Sequence, residues 1–481
     1  MLERPSSKMI RCHTIWIKIL CLLILISGCN TLPERSERDL NVQMPLEWRS
    51  LSDFDQPSWQ NWVDSFDDPV LSELIENALV HNFDLKSAAA RVEAAVAQAR
   101  VDSSGLWPQL TFAPGYQHTQ VRSTGFGSAQ FSVFEGLFNL SWELDVWGRI
   151  RDFRQAAAQE ADAVHADFEA ARLSLAARIA QNYFMLQEAK LQTQVAAHSV
   201  EDRGVIANLV QGRFTRGLAR GLDVRLALTD LANARSQLAQ AQNRMQLVTR
   251  QLEILLGRYP EGSLLKVTHT GTPLQEAITF LHVLPDPPMA LAAGLPAELL
   301  SRRPDLIAAF TRLRAADARL KSTKKLLLPR ITLTAAGGTR DSALTDLIDP
   351  RSVVWNVFAG MVQPLFTGGR IQGSIHLNAA RVEESFNHYQ SVALNAFREV
   401  EQALAAEEWL REQEKVLREA VVQTEASQEL ALYAYRHGFI QILTLLDSYR
   451  STFSAQSAHL AVKRQLLSNR INLYLALGGG V

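Results

Sequence analysis

Phe138-Asn139-Leu140-Ser141-Trp142-Glu143-Leu144-Asp145-Val146 alternates strictly between apolar and polar side chains. Successive side chains of a strand point to opposite faces, so Phe138, Leu140, Trp142, Leu144 and Val146 are expected to share one face, against lipid, with Ser141 turned to a lumen. A companion run, 109–122, precedes it, and Gly125 and Gly127 mark the turn between the two. Residues 330–339 and 353–366 repeat the pattern later in the chain. Each of the four candidates supplies about the 10 residues that a tilted strand needs to cross a bilayer.

The later pair is a copy of the earlier one. Asp84-Leu85 recurs as Asp305-Leu306, Arg91 as Arg312, and Pro108 with Thr111 as Pro329 with Thr332, always 221 residues on. The same offset relates Gly148-Arg149-Ile150 to Gly369-Arg370-Ile371, Gln181 to Gln402, Gly217 to Gly438, and Leu256-Gly257 to Leu477-Gly478. A constant offset with no insertion marks a duplication. The expected organisation is a first repeat at 67–257 and a second at 304–481, joined by a connector at 258–303. Pro260, Pro273, Pro285, Pro287, Pro288 and Pro296 limit that connector to short elements.

Each half opens on a helical pattern, 71–99 and then 306–320. Past the turns at Gly148-Arg149 and Gly368-Gly369-Arg370 it becomes very long helix. No proline occurs from Gly115 to Tyr259, nor from Leu365 to Val481. Tyr389, Ala396, Ala403, Leu410 and Leu417 recur at sevens beside Phe386, Ala393 and Val400, and Leu446, Phe453, Leu460, Leu467 and Tyr474 form another such series. These are coiled-coil repeats with alanine-rich seams. A helix from 371 to about 437 extends on the order of 100 Å at 1.5 Å per residue.

Four strands cannot close on themselves, and an open edge in hydrocarbon leaves backbone groups unsatisfied. Single-chain barrels begin at about eight strands, so several copies must combine, and three give twelve. A hollow barrel running into a helical tube makes a duct.

The amino terminus carries an export signal: Arg4, Lys8, Arg11 and Lys18 precede an apolar run at 19–26 too short to span a bilayer. Ile26-Ser27-Gly28-Cys29 then resembles the lipobox of bacterial lipoproteins. By that resemblance 1–28 is a cleaved signal peptide, Cys29 is the lipid attachment site, and 29–66 is an N-terminal lipid-anchored segment. Asn30, in place of Asp, resembles the sorting signal for the outer membrane. The other cysteines, Cys12 and Cys21, lie within the signal, which rules out a disulfide framework.

With 49 Lys plus Arg against 50 Asp plus Glu, no global field favours nucleic acid. The 11 histidines are dispersed, and no H-E-x-x-H, Walker A, G-x-S-x-G or G-x-G-x-x-G motif occurs. The expectation is no enzyme, no catalytic residue, no cofactor and no metal.

Arg303-Pro304-Asp305-Leu306, Pro364-Leu365-Phe366-Thr367-Gly368-Gly369-Arg370, Phe397-Arg398-Glu399-Val400, Tyr435-Arg436-His437-Gly438 and Tyr474-Leu475-Ala476-Leu477-Gly478-Gly479-Gly480 together resemble the TolC-like outer membrane efflux family. With the lipobox, the chain looks like its NodT-type lipoprotein branch serving resistance-nodulation-division (RND) systems. The resemblance implies an α+β membrane protein: a homotrimer whose twelve-stranded transmembrane β-barrel, four strands per protomer, continues into a long periplasmic α-helical coiled-coil barrel. An equatorial domain would form from the N-terminal segment, connector and C-terminus. The implied role is the outer-membrane channel of a tripartite pump exporting drugs or other small molecules. Its implied partners are a periplasmic adaptor (membrane fusion) protein, an inner-membrane RND transporter and outer membrane lipid. Two alternatives remain: the exit channel of a type I protein-secretion system, and a structural coiled-coil envelope lipoprotein that forms no channel.

By the same resemblance the tunnel closes where the long helices reverse, at 216–223 and 437–444. Leu443 would narrow the bore, Asp447 would project into it, and Arg450 would tie neighbouring helices together, with Thr444 beside them and Asp223 and Arg225 in the first half. The competing reading is local: Asp223 and Thr444, 221 apart, are good N-cap residues, and Thr444-x-x-Asp447 resembles a capping box.

Overall fold

The computed structural model describes residues 35–38, 48–49, 62–123, 127–262, 264, 283–288 and 296–480. Cys29, the signal segment, Gly125 and much of the connector lie outside the described residues. Residues 35–38 contain a short turn in the first of two compact units, Met1–Asp39; every described helix and strand belongs to the second, Leu40–Val481.

Duplication shows in the element boundaries. Helix α1 (Pro69–His81) leads into α2 (Phe83–Ser103), strands β1 (Gln109–Ser123) and β2 (Gly127–Leu144), and helices α3 (Arg149–Thr215) and α4 (Gly221–Leu255). After a short α5 (Pro296–Arg302) the order recurs as α6 (Pro304–Lys324), β3 (Arg330–Asp341), β4 (Val353–Val362), α7 (Arg370–Arg436) and α8 (Ile442–Ala476). Both ends of α2, α3 and α4 return 221 residues later in α6, α7 and α8. The two long helices have 67 residues each. Their starts are set by Gly148 and Gly369, at φ 74° and 83°, where a Cβ would be strained as the chain turns from strand to helix.

The strands form one antiparallel sheet in chain order, β1-β2-β3-β4, so β1 and β4 are left as edges. Register places Leu110, Phe112 and Tyr116 of β1 beside Leu140, Phe138 and Phe134 of β2. Leu140 and Trp142 are paired in turn with Ala335 and Leu333, which pair with Val357 and Ala359. One face is therefore apolar across the sheet, and Phe112 and Phe138 pack there with ring centroids 4.8 Å apart. The opposite face carries Thr111, Asn139, Ser141, Thr334 and Asn356. Several boundaries differ from the sequence reading, beginning with the helical pattern at 71–99, which Asn82 breaks into α1 and α2 by capping the second helix. Val146 falls beyond β2, because the backbone turns at Asp145, whose carboxylate accepts the Ile150 and Arg151 amides at the start of α3. Strand β4 ends at Val362, just before Pro364, which has no amide to donate to a ladder.

Among the helices, α3 packs between α2 and α6 toward the sheet and between α4 and α8 at the far end, while α7 packs on α6 and α8. The edges of the helical layer are thus α2 and α4 on one side and α7 on the other. Midway, Trp62, Phe66, Leu71, Tyr183, Leu264, Leu284, Ile471 and Tyr474 share one hydrophobic core. Trp62 and Phe66, Leu264 and Leu284, and the C-terminal helix meet there. The heptad seam of α7 changes character along its length. Tyr389, Ala393, Ala396, Val400 and Ala403 are buried, but Leu410 and Leu417 are only half-buried, and Glu407 and Glu414 take the inner positions. They do so because Arg470 and His459 of α8 meet their carboxylates at 2.6 and 2.9 Å.

Candidate gate at the helical tip

At the end remote from the sheet, α3 turns into α4 and α7 into α8 by the same device. Leu218 N–H donates to Arg213 O and Gly217 N–H to Phe214 O; Phe439 N–H donates to Ala434 O and Gly438 N–H to Tyr435 O. These are Schellman caps, which need a left-handed residue, and Gly217 and Gly438 stand at φ 74° and 79°. The turns are pinned to each other by Arg213, whose guanidinium lies 5.1 Å from the Tyr435 ring centre and donates to Tyr435 O at 3.0 Å. A cation there also offsets the partial negative charge at the C-terminus of α7. Beneath the turns Ile206, Val210, Ala227, Tyr435, Leu445 and Leu446 join all four helices in one cluster.

Helix α8 starts one turn earlier than the capping reading requires. Its N-cap is Gln441, so Thr444 is the third helical residue, and no side chain caps the helix. Helix α4 begins likewise at Arg220, and Asp223, also third in its helix, accepts the Arg220 amide at 2.9 Å. The N-cap assignment of Thr444 and Asp223 is therefore corrected, as is the Thr444-x-x-Asp447 box: the Schellman turns set the helix starts, and a first-turn acid reaches back to the N-cap amide only in α4. Leu443, Thr444, Asp447 and Arg225 are exposed on the protomer.

Arg450 is brought to Asp230 of α4, with its Nε 2.7 Å from Oδ1. The other carboxylate oxygen accepts Arg203 Nε of α3 at 2.7 Å. Asp230 and Arg203 are almost fully buried, while about half of the Arg450 side chain faces solvent. Arg203 also bonds Ser199 Oγ and stands 5.9 Å from the Phe453 ring centre. One buried carboxylate thus holds α3, α4 and α8 together. Beside it lies a polar cavity of about 330 Å³ lined by Asp202, Gln428 and Tyr449 among others. Burial, helped by the charge of Glu201 and opposed by a hydrogen bond from Gln428, holds the Asp202 carboxyl above the usual carboxylate range.

Sequence reading found Arg450 but missed Asp230 and Arg203. Repeat comparison carried a signal, since the counterparts of Asp230, Arg203 and Arg450 are Ser451, Thr424 and Thr229. Each charge occurs in only one of the two repeats, Arg203 and Asp230 in the first and Arg450 in the second, which marks them as departures from the duplicated pattern. Among the described residues no group of His, Cys, Asp and Glu could hold a metal ion. No described helix is long and apolar enough to cross a membrane, which says nothing of the strands.

The outer membrane efflux protein family model matches residues 74–258 and 295–479, most of both repeats. The chain belongs to the outer membrane efflux protein family. The toluene efflux pump outer membrane protein TtgF of Pseudomonas putida is 31% identical over 96% of each chain. The outer-membrane channel OprN superposes with a TM-score of 0.85 at 25% identity, covering 94% of this chain and 99% of that one. The open-state outer membrane channel MtrE of Neisseria gonorrhoeae gives 0.79 at 28%, covering 94% and 98%. As a member of this family the protein is the outer-membrane channel subunit of an efflux pump, with a transmembrane β domain and a periplasmic helical barrel. Its sheet edges explain the trimer. Strands β1 and β4 are the two edges of the sheet, so head-to-tail addition pairs β4 with the next β1 and closes twelve strands after three copies.

Proposed function

We propose that this channel is the lipid-anchored exit duct of a tripartite pump powered by an inner-membrane RND transporter and joined to it by a periplasmic adaptor, and that it passes drugs or other small molecules. The observation that carries this reading is the continuity of an amphipathic sheet, open at both edges, with paired 67-residue helices. That arrangement supplies a pore and a tube, and in this reading the protein acts as a passive conduit. The family match and the efflux names of its relatives support the transport role. In this reading residues 1–28 are removed, Cys29 bears lipid, 29–66 and 258–303 build the equatorial region, and 67–257 and 304–481 are the two channel repeats.

Leu443, Asp447 and Arg450, with Thr444, Asp223 and Arg225, form the resting constriction. Leu443 and Asp447 are one turn apart on an exposed face of α8, and threefold symmetry makes the carboxylates a ring that favours cations. Arg450 holds α8 to Asp230 on the adjoining helix, so opening requires an adaptor to displace these helices. The test is deletion of the gene. Increased sensitivity to small toxic compounds, restored by the intact gene, is expected; unchanged sensitivity with loss of a secreted polypeptide would overturn the reading in favour of protein export.

A further inference from the structure

The connection between β3 and β4 folds as two 3-10 turns, Leu344–Ile348 and Pro350–Ser352. Some of its polar groups are satisfied internally, while Thr345, Asp346 and Arg351 stay exposed. Ser352 Oγ lies 2.7 Å from both Asp341 Oδ2 and Asp346 O, which share its one proton, and Asp349 accepts the Arg351 amide at 2.8 Å. Its apolar side chains are left outward: Leu344 and Ile348 are exposed, Ile348 at 92%.

The first turn packs on β2 and β3. With Phe112, Tyr116, Phe134 and Phe138 of the apolar sheet face, Leu344, Leu347 and Ile348 line an open groove of about 630 Å³. Ligand pockets span roughly 300–1,000 Å³. Phe134 pairs with Asp341, the last residue of β3, so the groove lies at the end of the four-stranded zone remote from the helices. Tyr116 and Phe134, with ring centroids 4.6 Å apart, form an aromatic pair of the kind that girdles barrel strands at the membrane interface.

We propose that this groove seats an acyl chain of an outer-leaflet lipid, with the β3–β4 connection clamping it against the barrel wall. The groove continues the face that meets hydrocarbon, its lining is apolar apart from Thr339 and Glu135, whose carboxylate is paired with Arg340, and the clamp turns Ser352 and Asp349 onto its own backbone and side chains while Leu344 and Ile348 point outward. Leu344, Leu347 and Ile348 therefore meet the leaflet and do not stand in extracellular water.

The sequence has no cysteine beyond Cys29, so an introduced thiol is unique in the barrel. Ile348→Cys and Leu344→Cys, labelled with a fluorophore, are reconstituted as full-length trimers in phosphatidylcholine vesicles brominated on the acyl chains. Phe138→Cys serves as the lipid reference and Arg122→Cys, on the projecting β1–β2 hairpin, as the aqueous one. The expected result is loss of emission to the extent seen at Phe138, with protection from iodide in the water phase. Quenching by iodide to the extent seen at Arg122 overturns the proposal, because the clamp is then in water. Resistance to both quenchers overturns it equally, because a neighbouring copy then covers the groove. If Leu344→Cys yields no heat-resistant trimer, the exposed Ile348 position decides alone.

Discussion

Arg450 and Asp230 lie 220 positions apart and meet at 2.7 Å, and the carboxylate that Arg450 grips is the one that neutralises the buried Arg203. The two ends of this bridge differ in what they contribute. Removing Asp230 strands a guanidinium in the interior, whereas removing Arg450 releases a half-exposed helix contact and leaves the buried pair intact.

Asp230→Asn is therefore expected to cost about 3–5 kcal/mol, the penalty for breaking a buried pair from one side. Arg450→Ala should cost about 1 kcal/mol or less, since the Arg450 side chain is itself half exposed and screened by solvent. Denaturant midpoints of the two variants check this, and equal losses would contradict the burial argument. Arg450→Ala should still increase single-channel conductance, because α8 is then freer to move away from α4.

Asp447 has no capping role to lose. Asp447→Ala should raise conductance and weaken cation selectivity in planar bilayers while leaving trimer yield and stability unchanged. Unchanged conductance would remove Asp447 from the constriction.

On β2, Leu140 belongs to the apolar face and Ser141 to the polar one. A charge near the bilayer midplane of a barrel costs roughly 2–4 kcal/mol, so Leu140→Arg should reduce heat-resistant trimer far more than Ser141→Arg. Equal yields on gels would mean that the faces are assigned the wrong way round or that the strand is not in the membrane.

Acid stability gives a separate check on the α7–α8 seam. Burial pushes the Glu414 carboxyl up, but hydrogen bonds from Arg418 and His459 outweigh it and hold it below the usual carboxylate range. A lowered folded value means that the stabilisation is present above the unfolded value of about 4.3 and is lost as pH falls through the folded one. Glu414→Gln should lower the denaturant midpoint at neutral pH and flatten its fall in acid. Asp202 is shifted the other way, so Asp202→Asn should be neutral or stabilising at pH 7.

Cys29 is open to a direct test. Cys29→Ala should abolish incorporation of radiolabelled fatty acid, while the barrel strands keep part of the protein in the membrane. Labelling that persists would place the lipid elsewhere.

Much of this architecture is periodic, and periodicity is legible in a single chain. The alternation at 138–144 sets the lipid face because strand side chains repeat every two residues. The 221-residue offset returns in the boundaries of three helix pairs, because a duplicated sequence carries duplicated turns. Four strands without closure demanded further copies, because backbone groups in hydrocarbon must be paired.

What sequence could not determine depends on which faces of distant helices meet. Thr444 has the chemistry of an N-cap, yet the backbone of the preceding Schellman turn sets the start of α8 at Gln441. Asp230 reads as one more polar residue on a long helix until packing brings Arg203 and Arg450 to its two oxygens. Glu407 and Glu414 occupy inner positions of a hydrophobic heptad seam only because basic partners on α8 arrive opposite them. Leu344, Leu347 and Ile348 become a lipid clamp only when β3 and β4 are in register and the turn between them folds back on the aromatic face. A charge or an apolar side chain gains its role from the partner across the contact, and tertiary structure alone decides that partner.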